Sequence, residues 1–394
     1  MTSCEENPTE VGKKIIEENT FGDVIGRDTL DSYLNNITIK SESFIGPEVS
    51  FNYNLTNYAG RIVDQYTESR ASLVMMLISY LPDTTYITAL KNGSVIVESA
   101  RFVILPKSTI GNEDDYWDID VHPLTSEWNV SSGIKKSDMD TLYDNSINMK
   151  TGSIENLNDS LYTFPVDKQI MTEWLYTRAD DSLEYKYKGV VFNPKSGSKK
   201  MLGFNSSDSV YMPRIEVFVR KTAGAELDTV VFYPKFNEAV MHVVTYGQSS
   251  FDNQNIVLQG GIPIRSYLFF DYQKQLPEDI IINKAVLELT IDTLKTFKTN
   301  EKIEAVYVDA LSDSLDMSKI SNSLSSSELK REKNKFIGNI TSIIDGQNYE
   351  KTNFGFILSV EDEIGNIYRD MIYSESNPDP EKRPKLTIYY TKKN

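Results

Sequence analysis

The chain has 394 residues, 40% hydrophobic and 11% aromatic, so it is globular and has length for roughly two domains. A net charge of −16 argues against a nucleic-acid partner, which needs clustered Lys and Arg to neutralise phosphate. One cysteine, Cys4, rules out an intramolecular disulfide, and two histidines, His122 and His242, nearly exclude a multi-histidine metal centre and most histidine-based acid–base schemes.

Residues 1–20 read as a polar, flexible tether. Thr2-Ser3-Cys4 resembles the end of a bacterial lipoprotein box, whose cysteine is acylated, and the acidic run Glu5–Glu10 suits the linker that follows. That reading makes Cys4 a lipidation site and places the folded part at the outer membrane or the extracellular face, held only by the lipid, or secreted. The alternative is a free thiol in a tail. No apolar run approaches the ~20 residues of a membrane span.

Residues 21–222 are expected to form a first β-sandwich. Leu34–Lys40 and Val49–Tyr53 alternate like strands, Ala71–Tyr80 and Ser94–Leu105 are long apolar strand candidates, and residues 111–150 are polar and loop-rich. Val166, Ile170 and Trp174 recur at helical spacing. Three further strand candidates follow, ending with Met212–Val219, and Lys221–Asp228 is the best linker candidate. Residues 223–394 then form the second sandwich. It contains Ile264–Asp271, Ile280–Ile291, Thr352–Val360, Met371–Ser376 and Arg383–Tyr390 as strands. Ser321–Asn334 reads as a loop or a solvated helix.

The halves share an ordered series of matches. Ser72–Leu77 pairs with Ser266–Asp271, Leu81-Pro82 with Leu276-Pro277, and Ala100–Ile104 with Ala285–Leu289. Val166 and Ile170 pair with Ile340 and Ile344, Gly189–Phe192 with Gly355–Leu358, and Pro213–Val217 with Pro384–Ile388. Order is kept while spacing drifts, as in a duplication with variable surface loops. Many strands without a βαβ rhythm predict an all-β protein of two tandem antiparallel jelly-roll sandwiches with long loops and few short helices.

The second half resembles the bacterial DNRLRE-type domain, a jelly-roll sandwich related to alginate-type carbohydrate-binding modules. The resemblance rests on Arg265-Ser266, Phe270-Asp271, Leu276-Pro277, Ala285–Leu289, Ile340-Thr341, Asn353–Phe356, Ser374-Glu375 and Arg383–Leu386. It covers about residues 229–392, and 45–220 more loosely, since the first half has Lys188-Gly189 and Ser207-Asp208 in place of Phe-Asp and Ser-Glu. It implies non-catalytic attachment to polysaccharide, or a structural part of a cell-surface protein.

The candidate ligand-binding residues are Asp115, Tyr116, Trp117, Asp118 and Trp128, with Lys199 and Lys200 on a basic hairpin. Aromatic faces stack on sugar rings, and carboxylates bind hydroxyls or a calcium ion through their oxygens. Each has a plainer reading: Trp117 and Trp128 as core, the acids and lysines as solvated turns. Ser374-Glu375 and Arg383 read as a structural ion pair. No Ser/His/Asp set, zinc motif or phosphate loop is present, so no catalytic residue is named and no cofactor is expected. The expected partner is a polysaccharide. The alternative is an envelope protein, with the chain a structural subunit of an envelope or extracellular assembly.

Overall fold

The computed structural model describes residues 27–46, 50–51, 54–64, 66–79, 84–157, 160–179, 186–205, 211–222, 224–235, 240–249, 251, 254–296, 302–312, 326–365 and 367–393. The tether, Cys4 and Leu81-Pro82 lie outside them. The chain is mostly strand and its two large sheets are antiparallel and curled, giving an all-β, two-sandwich fold with few short helices.

Alternation makes the strands. Arg214–Arg220 buries Ile215, Val217 and Val219 and turns Arg214, Glu216 and Phe218 outward, and Ile264–Phe270 alternates likewise. The twelve-stranded sheet is organised around the long strand Thr67–Ser79, which pairs with Thr56–Val63, Gly189–Pro194, Asp228–Pro234 and Val240–Ser249. Its core holds Phe102, Phe164, Trp174, Phe192, Ile215 and Phe232. The eleven-stranded sheet runs from Arg27–Asp31 through Lys385–Lys392 and Ile280–Thr290 round to Ile264–Phe270 and Arg369–Tyr373. A bridge between Ile291 and Ile372 brings its far end back to the Ile280–Thr290 strand.

The duplication recurs in the pairing. Thr67–Ser79 pairs with Gly189–Pro194 as Ile264–Phe270 pairs with Phe356–Val360. Ile96–Ile104 pairs with Arg214–Arg220 as Ile280–Thr290 pairs with Lys385–Lys392. Helix Lys168–Ala179 packs on the first of these pairs as helix Thr341–Glu350 packs on the second. One match needs correcting. The structure sets Met75, opposite Val190, equivalent to Leu268, opposite Phe356, one residue away from the Ser72–Ser266 alignment. A one-residue slip exchanges the two faces of a strand, and the pairing register decides against the sequence match, since Val74 and Met75 are both fully buried.

Three expectations about connections change. Lys221–Asp228 is a hairpin connection and not a linker between sandwiches, because the strands on either side of it pair with each other. Residues 111–150 include a core strand, Ile119–Leu124. Ser326–Glu332 is a strand paired with Lys335–Asn339, its turn made by Lys333 at φ 58°. It buries only Leu329 in the core, so its polar sequence gave no strand signal.

Sheet membership also crosses the boundary drawn at 222/223. Arg27–Asp31 and Ile39–Ile45 belong to the second sheet, whereas Asp228–Pro234 and Val240–Ser249 belong to the first. The sandwiches meet along a buried polar seam. Arg369 forms an ion pair with Asp64, the Tyr58 and Tyr368 hydroxyls are 2.6 Å apart, and Gln259 Nε2 donates to Ser69 Oγ at 3.2 Å.

Candidate functional site

The structure brings the predicted acidic loop and basic hairpin together and divides their residues between core and surface. The Lys199 N–H donates to the Tyr116 carbonyl at 2.9 Å, and the Lys195 N–H donates to the Asp118 carbonyl at 3.1 Å. Trp117 is only 3% exposed. Its indole N–H donates to the Ala59 carbonyl at 2.9 Å and its ring packs edge-on to Tyr162. Trp128 is 8% exposed and belongs to the other core. Neither offers a face for a sugar, which corrects the expectation of stacking tryptophans. Flanking apolar strands draw both indoles inward, where each buries a large area.

Asp118 is enclosed by cations, with Lys150 Nζ at 2.5 Å and Lys195 Nζ at 3.6 Å. Asp120 and Asp118 in turn hold the Lys195 ammonium above its ordinary pKa. Lys200 is buried and donates to the Glu113 carbonyl, so it is a strut and not a surface cation. Asp115 is half-buried and accepts from Asn112 Nδ2 at 3.1 Å. Only Tyr116, 61% exposed, and Lys199 remain as an open pair. Among the described residues, no group of three or more His, Cys, Asp and Glu side chains converges to hold a metal.

A larger concavity lies at one end of the second sandwich. This groove of about 800 Å³ is bounded by the turn Ser32–Ile37, the strand residues Glu288, Lys335 and Lys385, and the rim Asp379–Pro384. Local sequence builds both walls. In the first turn the Tyr33 and Leu34 N–H groups donate to Asp31 Oδ1 at 2.9 and 3.2 Å, and Asn36 takes the left-handed conformation at φ 48°. On the rim, Asn377-Pro378-Asp379-Pro380 forms a tight turn in which Asn377 Oδ1 accepts the Asp379 N–H and Asp379 Oδ1 accepts the Glu381 N–H.

The groove's charges are largely paired. Lys385 Nζ is 3.0 Å from Asp31, and Lys335 Nζ is 3.0 Å from Glu288. Burial pushes the Asp31 carboxyl up, but the Lys385 ammonium and the two turn N–H groups outweigh it and hold it below its ordinary value. Arg383 differs. Its Nε donates to the Asn377 carbonyl at 2.7 Å, while its two terminal nitrogens have no partner among the described residues. Arg383 and Glu375 therefore do not form the expected ion pair. Glu375 instead accepts from the backbone N–H and hydroxyl of Ser41. Tyr33, 49% exposed, stands on the wall across from the rim. The sequence carried a weak signal for this site, an aromatic in an Asn-rich turn, but nothing local linked residue 33 to residue 383.

Comparisons with protein-family models, with curated proteins and with solved structures found no match to this chain.

Proposed function

We propose that the protein is a non-catalytic, polysaccharide-binding protein of a bacterial surface, tethered through a lipid on Cys4 or secreted, and that the groove of the second sandwich holds the glycan. The observation that carries this reading is the lining of the groove. An exposed tyrosine, a fixed guanidinium whose terminal nitrogens have no partner among the described residues, two asparagine amides (Asn36 and Asn334) and the acids Asp379 and Glu381 surround about 800 Å³ of open space. A chain of hydroxylated rings uses such a set, an aromatic plane for its apolar face and mixed donors and acceptors for its hydroxyls. The volume falls within the range of about 300–1,000 Å³ usual for ligand clefts. The resemblance to the DNRLRE-type domain points the same way.

Affinity electrophoresis over a panel of neutral and acidic polysaccharides tests this. Retardation by at least one gel is expected, and Tyr33→Ala or Arg383→Ala should weaken it about tenfold or more, roughly 1.4 kcal/mol. No retardation on any gel, or retardation untouched by both substitutions, would reject the groove as the site.

A second reading, a structural subunit of an envelope assembly, is favoured by the crossing of strands 27–45 into the second sheet. Light scattering that finds only a monomer, and no envelope protein co-purifying with it, would count against it.

A further inference from the structure

The strands that cross between the sheets occupy equivalent places. In the first repeat, Val217 lies opposite Ala100 on one side and Val230 on the other. In the second, Ile388 lies opposite Ala285 on one side and Leu30 on the other. The long core strands agree. Met75 has Val190 on one flank and Val240 on the other, and Leu268 has Phe356 on one flank and Ser41 on the other. Strands Arg27–Asp31 and Ile39–Ile45 therefore hold in the second repeat the place that Asp228–Pro234 and Val240–Ser249 hold in the first. The sequence agrees: Asp28-Thr29-Leu30 and Tyr33 recur as Asp228-Thr229-Val230 and Tyr233, 200 residues on.

In chain order each pair stands immediately before a repeat, 27–45 before strands 56–220 and 228–249 before strands 255–392. We infer that the repeating unit begins with this strand pair and that the two repeats have exchanged theirs. Residues 27–45 are the opening pair of the first repeat docked on the second, and 228–249 are the opening pair of the second docked on the first. The second sandwich is thereby an acceptor for one kind of partner, a strand pair of this chain's own sequence.

The contacts fit a built seat. Leu30 and Ile37 enter the core. Ser32 Oγ accepts the Leu386 N–H at 2.9 Å, and Ser43 Oγ accepts the Val257 N–H at 2.8 Å while lying 2.9 Å from Ser266 Oγ. Glu375 holds Ser41 from the second repeat. Ladder hydrogen bonds supply attachment and side-chain pockets supply register, as in strand addition to a sheet edge. The docked pair also forms one wall of the groove, with Ser32, Tyr33, Asn36, Ile37 and Ile39, so that cleft is shared between the repeats.

Cross-linking of the full chain in a Cys4→Ser background separates exchanged from unexchanged pairing. Thr29 lies opposite Tyr389, and Thr229 lies opposite Phe218. With a short bismaleimide, Thr29→Cys/Tyr389→Cys and Thr229→Cys/Phe218→Cys should link to near completion within one chain. The unexchanged combinations, Thr29→Cys/Phe218→Cys and Thr229→Cys/Tyr389→Cys, should stay at background. Efficient linking in either unexchanged combination, or failure of the 29–389 link, overturns the inference. A second arm inserts a specific protease site after Gly46 and cuts the folded protein. The fragment ending at residue 46 should co-elute with the rest and be displaced by an excess of fluorescent peptide 27–46. Release of the fragment with unchanged hydrogen-exchange protection in strands 264–270 and 385–392 overturns the acceptor role. Neither arm uses glycan binding, so the inference can fail while the glycan reading stands, and the reverse.

Discussion

His242 is fully buried, its Nδ1 3.2 Å from Asn57 Oδ1 and its ring edge-on to Tyr58, with Phe51 also against it. Its Nε2 has no partner among the described residues. No charged group compensates the burial, which pushes the imidazole down to about 4. The unfolded chain takes up a proton near the ordinary value of about 6.5, and the folded one only near 4. Lowering the pH between those values therefore favours the unfolded state, and this contribution is constant outside the window. A shift of that size corresponds to a loss of roughly 3 kcal/mol. Melting temperature followed from pH 7 to pH 4 should fall, and His242→Gln should flatten the part of the curve due to this residue. An unchanged slope would show that His242 does not titrate in this way. Trp117 belongs to the same scale. Trp117→Ala removes a core indole and its hydrogen bond to Ala59, so a loss of about 3–5 kcal/mol in a denaturant titration is expected.

At the scale of the element, the repeat explains a shared glycine. A Cβ on Gly189 would lie 1.8 Å from the Met75 carbonyl oxygen, and one on Gly355 would lie 2.8 Å from the Leu268 carbonyl oxygen. Gly189 begins, and Gly355 stands just before, a strand pressed against the equivalent core strand, and Gly355 also takes φ 92°. Gly189→Ala should destabilise by about 1–3 kcal/mol through forced strand separation, and Gly355→Ala by at least as much because of its backbone conformation. A melting temperature unchanged in either variant would contradict the close approach. Such marks were legible in the sequence, as were the all-β class, the alternating strands around Val217 and Ile388, and the helix that follows Val166. What stayed hidden depended on distant partners. Ser326–Glu332 is a strand only because its neighbours pair with it. Trp117 and Trp128 admitted both a core and a sugar-stacking reading, because nothing in their polar surroundings reveals which side chains turn inward. The groove joins residues 33 and 383, and no local pattern announces a wall assembled from both ends of the chain.

For the whole molecule, the seam makes the sandwiches interdependent. The second sheet is built from strands on both sides of the first sandwich, 27–45 and 255–392, and the seam adds the Arg369–Asp64 ion pair and the Tyr58–Tyr368 hydroxyl contact. Unfolding one sandwich takes away the other's partners across this seam and leaves the Arg369 guanidinium without the Asp64 carboxylate. Two independent domains in tandem would give two calorimetric transitions. Here the coupling predicts one transition whose calorimetric enthalpy equals its van't Hoff enthalpy. Asp64→Asn should lower that single transition and leave it single. It leaves the Arg369 guanidinium buried without its carboxylate, which costs about 3–5 kcal/mol. Because the affected seam is common to both sandwiches, the loss should be felt equally by the fluorescence of Trp174, in the first core, and by hydrogen exchange of strand 385–392, in the second. A variant in which one probe shifts and the other does not would mean that the sandwiches unfold separately despite the seam.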